Sequence, residues 1–240
     1  MGFAIEARNI SRNKHSTSFH SIDALAIEYF DDRSLVLLRE EYGDMPDNAK
    51  ACIFFEQEYK KVFESEIFGE WMGLLSKHGG DEFETWVAYN DRDRELLLEK
   101  RHFLGETMNQ MIRINKMPKV TTDIAVPDNK FTDIMGLYKR VLAESQIEYF
   151  LFGHIGDSHI HMNLLPKTPQ ELEKSWNIAL TFIEKSVELG GTVSAEHGIG
   201  KMRREYMKIL YGEKGIQEML EVKKALDPNL ILGRGNIFQL

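Results

Sequence analysis

The chain has a single cysteine in 240 residues, Cys52, which excludes an internal disulfide and a metal site built from cysteines alone. Cys52 lies in the apolar run Ala51–Phe55, which favours a buried, unreactive thiol. No apolar run approaches the roughly 20 residues that a membrane-spanning helix needs, and no secretory signal is visible. We therefore predict a globular protein without a membrane span that stays in the cytoplasm, meeting the inner membrane only through electron-transfer partners.

Basic residues are outnumbered. There are 30 lysines and arginines against 38 aspartates and glutamates, which gives a formal net charge of -8. We expect no nucleic-acid partner, because phosphate binding requires a basic surface. An anionic ligand would have to be held by a few individually placed cations, since the overall field repels it.

Short apolar runs of strand length alternate with longer segments of helical spacing, and no repeat, low-complexity segment or glycine/serine linker interrupts them. Several connections are short enough for hairpins, notably Gly156-Asp157. The pattern predicts an α+β fold with a large antiparallel sheet covered by helices on one face. Strands are predicted at Phe3–Ala7, Ala51–Phe55, Glu84–Ala88, Thr121–Val126, Glu148–Gly153, Ile160–Leu165 and Gly191–Ala195. Helices are predicted at Tyr59–Leu75, Arg92–Ile112, Lys130–Ser145, Pro169–Leu189 and Lys214–Leu226.

Three histidines, His154, His159 and His161, lie around two strand ends and the predicted turn. With Gly156-Asp157 at the turn, His154 would face His159 across the hairpin, and His161 would follow on the same face. Two histidines and a carboxylate with open positions form a common catalytic site for zinc, iron or manganese. A hydrogen-bonded strand pair without a metal is the alternative interpretation.

The carboxylate for such a site has two candidates. Asp157 at the turn tip would more naturally bond backbone amides, so Glu196 is preferred. Glu196 adjoins His197, and histidine is the side chain suited to act as a base near neutral pH. Gly198 and Gly200 follow and permit close approach to a ligand, but they lack the third glycine of a dinucleotide fingerprint, so we expect no nicotinamide site. A surface Glu-His pair is the alternative here.

Both segments resemble the C-terminal domain of the FAD-linked oxidases related to D-lactate dehydrogenase, glycolate oxidase and D-2-hydroxyglutarate dehydrogenase. His154-Ile-Gly-Asp157 with His161 is similar to the family's His-x-Gly-Asp-x-x-x-His pattern. Ser194-Ala-Glu-His-Gly-Ile-Gly200 is similar to its Ser-Ala-Glu-His-Gly-x-Gly pattern. Further similar segments are Asp123–Pro127, Val222–Pro228 and, more loosely, Ser21–Arg39.

The resemblance implies a ferredoxin-like cap domain over residues 1–240, with a C-terminal helical segment from about residue 197. It implies that His154, His161 and Glu196 hold a divalent metal, either zinc, manganese or iron, and that His197 takes the proton of the substrate hydroxyl. A small D-2-hydroxy acid would be oxidised to the 2-oxo acid, with the hydride passing to FAD.

The resemblance also implies contacts to substrate and flavin. The substrate-binding residues would be Arg101, Asn163 and Lys119, with Lys119 standing in for a family lysine that Thr121 replaces here. The cofactor-binding residues would be Gly198, Gly200 and Asn236. The chain departs from the pattern where His159 replaces an asparagine, where Arg203 replaces a frequent lysine, and in the tail Leu232–Phe238.

No segment resembles the flavin-binding domain that precedes this domain in the family. We therefore expect half an active site, which needs an N-terminal FAD-binding domain in the same or another chain and is colourless when purified alone. One alternative is a metal-dependent hydrolase in which His197 activates water. The other, suggested by the altered tail at Gly233–Asn236, is a redox-inactive metal-binding or interaction module.

Overall fold

The structure, a computed structural model that describes residues 1–13 and 21–239, is α+β with antiparallel strand pairing, as the sequence predicts. It divides into a first unit, Met1–Lys116 with Phe150–Asp157, and a second unit, Met117–Tyr149 with Ser158–Leu240. The α-helices are α1 (Gly2–Arg12), α2 (Asp32–Tyr42), α3 (Glu64–Lys77), α4 (Asp91–Asn115), α5 (Phe131–Ser145), α6 (Pro169–Glu188) and α7 (Arg204–Leu226). The strands are β1 (Ala26–Asp31), β2 (Ala51–Glu56), β3 (Val120–Thr121), β4 (Tyr149–Gly153) and β5 (His161–Leu164).

Strand β1 is central to the first unit, where it pairs antiparallel with β2 along its whole length and with β4 at Tyr29 and Phe30. Asp31 ends this strand and caps α2, because its carboxylate accepts the Ser34 N–H at 2.8 Å. The other carboxylate oxygen accepts the Leu151 N–H of β4 at 2.9 Å. One buried carboxylate therefore joins the start of a helix to a neighbouring strand.

The core of the first unit is apolar. Leu35 and Leu38 of α2 pack with Phe30 and with Leu104 of α4, all nearly fully buried. Cys52 packs against this cluster, and burial raises the pKa of its thiol to about 11. Cys52 is half-buried rather than fully buried, its thiol is protonated at neutral pH, and its low reactivity stays a prediction.

The second unit pairs β3 antiparallel with β5, with Thr121 opposite Asn163. Helices α5 and α6 pack together through Tyr138 and Phe182, whose rings meet edge to face at 4.5 Å. Helix α7 is kinked at Gly212, whose φ of 66° lies in the left-handed region that glycine tolerates. No helix among residues 1–13 and 21–239 is long and apolar enough to cross a bilayer.

Three predicted strands are wrong. Phe3–Ala7 lies within helix α1, where Phe3, Ala4 and Ala7 are buried at helical spacing. Glu84–Ala88 forms no strand between α3 and α4. Gly191–Ala195 runs beside residues 123–125 and makes two backbone hydrogen bonds to them, but it is too irregular to form a strand.

Each of the five predicted helices corresponds to a helix of the structure, but their ends differ from the predicted ones. α3 begins five residues later than predicted, because the stretch before it contains a 3₁₀ turn at Lys61–Phe63. α7 begins ten residues before the predicted Lys214, because the kink at Gly212 joins two helical segments.

Candidate metal and acid-base site

Three predicted site residues of the second unit lie in contact. The Nε2 atom of His161 lies 2.9 Å from Oε1 of Glu196, and the Nε2 atom of His197 lies 3.1 Å from the same oxygen. The two imidazole rings are 5.2 Å apart. One carboxylate oxygen thus lies between two imidazoles, and the three side chains can provide nitrogen and oxygen donors to one cation.

The local backbone explains this convergence. His161 begins β5, and its ring lies 4.4 Å from that of His159 on the same side of the chain, two residues earlier. Its Nδ1 atom lies 3.3 Å from the Thr122 carbonyl oxygen, which leaves Nε2 directed to Glu196. Burial, followed by the charge of His159, lowers the pKa of His161, which favours the neutral imidazole that binds metals.

Asp123 lies beneath this cluster with a completely buried side chain. Its carboxylate accepts hydrogen bonds from the Ser194 hydroxyl at 2.7 Å, from the N–H groups of Glu196 and His197 at 3.3 and 3.0 Å, and from Arg203 at 2.8 Å. Burial alone would raise the pKa of Asp123, but its hydrogen bonds and the Arg203 charge hold the pKa well below its ordinary value. Asp123 is therefore ionised throughout the physiological range.

The glycine-rich turn after His197 is closed by the C-terminal tail. Gly198 and Gly200 have φ values of 71° and 54°, so both adopt the left-handed conformation expected of them. The carbonyl of Gly200 accepts the N–H of Ile237 at 3.0 Å, which places the tail against the turn. Asn236 is exposed and donates its backbone N–H to Gly233.

In the first unit, His154 and Arg101 both contact a buried glutamate, Glu28, that was not among the predicted site residues. Glu28 Oε1 lies 2.9 Å from His154 Nδ1 and accepts a hydrogen bond from Arg101 at 2.5 Å. Burial would raise the pKa of Glu28, but His154 and Arg101 together lower it. Arg101, predicted to bind a substrate carboxylate, is thus paired with a protein carboxylate.

The predicted two-residue hairpin turn at Gly156-Asp157 is wrong. Ile155–Asp157 form a 3₁₀ turn, in which the Asp157 N–H donates to the His154 carbonyl at 3.0 Å. The Asp157 carboxylate pairs with Arg12 at 3.0 Å instead of bonding backbone amides. His159 bridges Ala125 in an antiparallel pair within the second unit.

The other predicted substrate residues of the second unit are partly or fully buried. Asn163 is 2% exposed, and its side-chain amide lies 3.5 Å from the His161 carbonyl. Lys119 is half-buried, and burial lowers the pKa of its ammonium group. Both remain predicted contacts.

Three residues that were not predicted as site residues contact predicted ones, namely Glu28 in the first unit and Asp123 and Arg203 in the second. Asp123 opens one of the sequence segments similar to the family, which was a usable signal, but nothing in that segment indicates that its carboxylate binds amides more than 70 residues away. Glu28 lies in the loosely similar segment Ser21–Arg39, but nothing in that segment singles it out, since an acidic residue in a strand acquires its partners only through the fold.

Residues 8–237 match the family described as FAD linked oxidases, C-terminal domain. The glycolate oxidase subunit GlcD of Bacillus subtilis is 28% identical over 217 residues, which cover 88% of this chain and 44% of that protein. The mitochondrial D-lactate dehydrogenase [cytochrome] of Kluyveromyces lactis is 28% identical over 94% of this chain and 40% of that protein. The D-2-hydroxyglutarate dehydrogenase of Stutzerimonas stutzeri is 26% identical over 90% and 47%.

The chain therefore spans less than half the length of these relatives. Among solved structures, 4-ethylphenol oxidase from Gulosibacter chungangensis, in its isoeugenol complex, matches with a TM-score of 0.53 and 16% identity. That alignment covers 88% of this chain and 47% of the oxidase. The likeness shows a shared fold.

Proposed function

Because this chain belongs to the FAD-linked oxidase C-terminal domain family, we propose that it is the substrate- and metal-binding half of an FAD-dependent dehydrogenase or oxidase. Its substrate would be a small D-2-hydroxy acid of the lactate, glycolate or 2-hydroxyglutarate type, oxidised to the 2-oxo acid. Its partner would be an N-terminal FAD-binding domain in the same or another chain. The observation that carries the proposal is the contact of His161, Glu196 and His197 around one carboxylate oxygen.

The donor set supports a divalent metal at this site. An imidazole nitrogen of His161 and a carboxylate oxygen of Glu196 are the ligand types that zinc, manganese and iron share. When bound, such an ion would polarise the carboxylate and hydroxyl oxygens of the substrate and lower the pKa of the hydroxyl. His154, the third ligand predicted from the sequence, belongs to the first unit, and its role remains a prediction.

His197 is the residue that would accept the proton of the substrate hydroxyl. Its side chain is 57% exposed, whereas that of His161 is 12% exposed, so His197 is the imidazole that an incoming hydroxyl group can reach. Glu196 lies against its Nε2 atom and orients the ring. The hydroxyl proton passes to His197, the hydrogen on the same carbon leaves with its electron pair, and a carbon–oxygen double bond forms. FAD, when bound by the partner domain, would supply the acceptor for that hydride.

The test uses this chain produced together with an N-terminal FAD-binding domain, with dye reduction measured on D-lactate, glycolate and D-2-hydroxyglutarate. Glu196→Gln should lose bound metal by elemental analysis and lose activity. His197→Gln should keep the metal and lose activity by a factor of about 100 to 10,000, the usual contribution of a general base. Exposed Glu188, in α6, provides the control Glu188→Gln, which should match the wild type in both measurements.

Two outcomes would overturn the proposal. If the FAD-loaded complex reduces no dye with any D-2-hydroxy acid, the reaction is wrong. If it instead cleaves esters without flavin, and His197→Gln abolishes that cleavage, the site belongs to a metal-dependent hydrolase.

A further inference from the structure

The buried carboxylate of Asp123 accepts the backbone N–H groups of both Glu196 and His197. We propose that Asp123 is a positioning residue that fixes the side chains of Glu196 and His197, and that it is not itself a metal ligand. The inference rests on the proposed function for its catalytic consequence. The residues from which it is argued all lie in the second unit.

Asp123 secures both ends of the loop that carries the site. At the start of the loop, the Ser194 hydroxyl donates to Asp123 Oδ2 at 2.7 Å. At its end, Arg203 donates to the same oxygen at 2.8 Å and to the Gly198 carbonyl at 3.3 Å. The residues between, including Glu196, are therefore held in a loop closed on one carboxylate.

The middle of the loop is held by the same group. Glu196 N–H donates to Asp123 Oδ1 at 3.3 Å, and His197 N–H donates to Oδ2 at 3.0 Å. Two successive amides pointing at one anion fix the direction of their peptide planes, and with them the directions in which the two side chains leave the backbone. This is the step by which Asp123 sets the contact between Glu196 and the two imidazoles.

The backbone that carries Asp123 is itself fixed on two sides. The Asp123 carbonyl accepts the Ala195 N–H at 2.7 Å, and the preceding Thr122 donates its N–H to Met162 of β5 at 3.1 Å. Asp123 therefore lies between the strand that carries His161 and the loop that carries Glu196. A displacement of either element would have to break several hydrogen bonds to the same short segment.

Asp123 has a carboxylate oxygen within reach of the same cation position as His161, Glu196 and His197, so its exclusion as a ligand requires an argument. Its Oδ2 atom accepts from Ser194, Arg203 and the His197 amide, and its Oδ1 atom accepts the Glu196 N–H and lies 3.2 Å from His159 Nε2, so each oxygen already has protein partners. The Arg203 guanidinium also neutralises its charge. A cation could bind Asp123 only by displacing these partners from a completely buried side chain, at the cost of leaving buried donors unpaired.

Arg203 links the Asp123 carboxylate to the turn that follows His197. One of its terminal nitrogens reaches both Asp123 and the Gly198 carbonyl, so it braces the turn that follows His197. A lysine at this position would keep the charge with a single rotatable ammonium group.

The experiment uses the metal-free chain and compares Asp123→Asn and Ser194→Ala with the wild type. The ring resonances of His161 and His197 are followed by NMR at one fixed pH, and zinc affinity is measured by calorimetry. Asn keeps the size of the side chain and removes one acceptor oxygen. We expect shifted resonances for both histidines and zinc binding weakened by about 10-fold to 100-fold in Asp123→Asn, the range typical of groups that orient metal ligands. Ser194→Ala should show the same changes to a smaller degree.

Two variants control for general loss of stability. Ser175→Ala removes a buried hydroxyl in α6 that bonds only its own helix, and Leu142→Ala creates a cavity in α5. Both should leave the histidine resonances and zinc affinity unchanged, although Leu142→Ala lowers the unfolding temperature. If Asp123→Asn does not fold, the test is the comparison of Ser194→Ala with its control Ser175→Ala. The histidine resonances and zinc affinity should change in the first variant and stay unchanged in the second.

Unchanged resonances and unchanged affinity in Asp123→Asn and Ser194→Ala would overturn the inference while leaving the proposed function intact. Complete loss of zinc binding in Asp123→Asn with unshifted histidine resonances would show instead that Asp123 is a ligand. A wild-type chain that binds no zinc, manganese or iron(II) would count against the proposed metal site, and the histidine resonances would still decide the role of Asp123.

Discussion

The contribution of Asp31 to the free energy of unfolding should depend on pH in a direction unusual for a carboxyl group. Burial raises the pKa of this carboxyl group from 3.8 to about 6, and the hydrogen bonds from Ser34 and Leu151 only partly offset that effect. A difference of about two pH units corresponds to about 3 kcal/mol of unfolding free energy. Because the folded-state pKa is the higher one, the folded protein keeps this proton where the unfolded chain has lost it. The stabilising contribution is complete below pH 3.8 and is lost as pH rises through 6.

The substitution Asp31→Asn removes the titration and keeps an oxygen that can accept the Ser34 N–H at the start of α2. It presents an amide group to the Leu151 N–H, so we expect a cost of about 1 to 3 kcal/mol from that unpaired donor. The wild type should gain roughly 2 kcal/mol relative to the variant between pH 7 and pH 4.5.

The assay is urea denaturation followed by circular dichroism at several pH values, with Asp47→Asn as the control because Asp47 is an exposed aspartate in the same unit. The difference in unfolding free energy between wild type and Asp31→Asn should widen on acidification, and the Asp47→Asn curve should run parallel to the wild type. Parallel curves for wild type and Asp31→Asn would refute the reasoning, since they would mean that burial does not hold a proton on this carboxyl group.

Three further predictions concern Cys52, Gly191 and Glu28. The Cys52 thiol should react with a disulfide reagent only in denaturant, because burial raises its pKa to about 11; a stoichiometric reaction in native buffer would contradict this. Gly191→Ala should lower the unfolding free energy by about 2 kcal/mol, measured by urea denaturation, because a Cβ atom there would lie 2.3 Å from the Ala125 carbonyl oxygen. Glu28→Gln should cost about 2 kcal/mol in the same assay by leaving Arg101 without its carboxylate, and a neutral effect would mean that this buried pair contributes nothing.

Periodicity predicted the long helices well and the short apolar runs poorly. Helices α5 and α6 are predicted almost to the residue, because each has many apolar positions at helical spacing. Five residues at Phe3–Ala7 are too few to separate alternation from one turn of a helix, and the fold buried them on the face of α1. At Gly191–Ala195 the apolar run forms no strand, because its backbone N–H groups bond two isolated carbonyls rather than a strand edge.

The motifs brought His161, Glu196 and His197 into one prediction because short spacings and a family pattern link them. The groups that fix their geometry could not be predicted in the same way. Asp123 acts on backbone amides, which every residue possesses, so no residue type in the loop reveals its target. Glu28 likewise meets His154 and Arg101 across long sequence separations that only the packing of β1, β4 and α4 closes.

The charges around Asp123 bear on how an acidic chain could bind an anionic substrate. The charge of Asp123 is cancelled by Arg203 at 2.8 Å, so its contribution to the local field is small. Glu196 then carries the negative charge that remains in the contact with the two imidazoles, and the proposed divalent ion would more than neutralise it. The site would become locally positive although the chain carries -8, because interactions at 3 to 4 Å outweigh charges that lie beyond the Debye length of about 8 Å. Removing the ion should therefore weaken binding of a 2-hydroxy acid more than raising the salt concentration does.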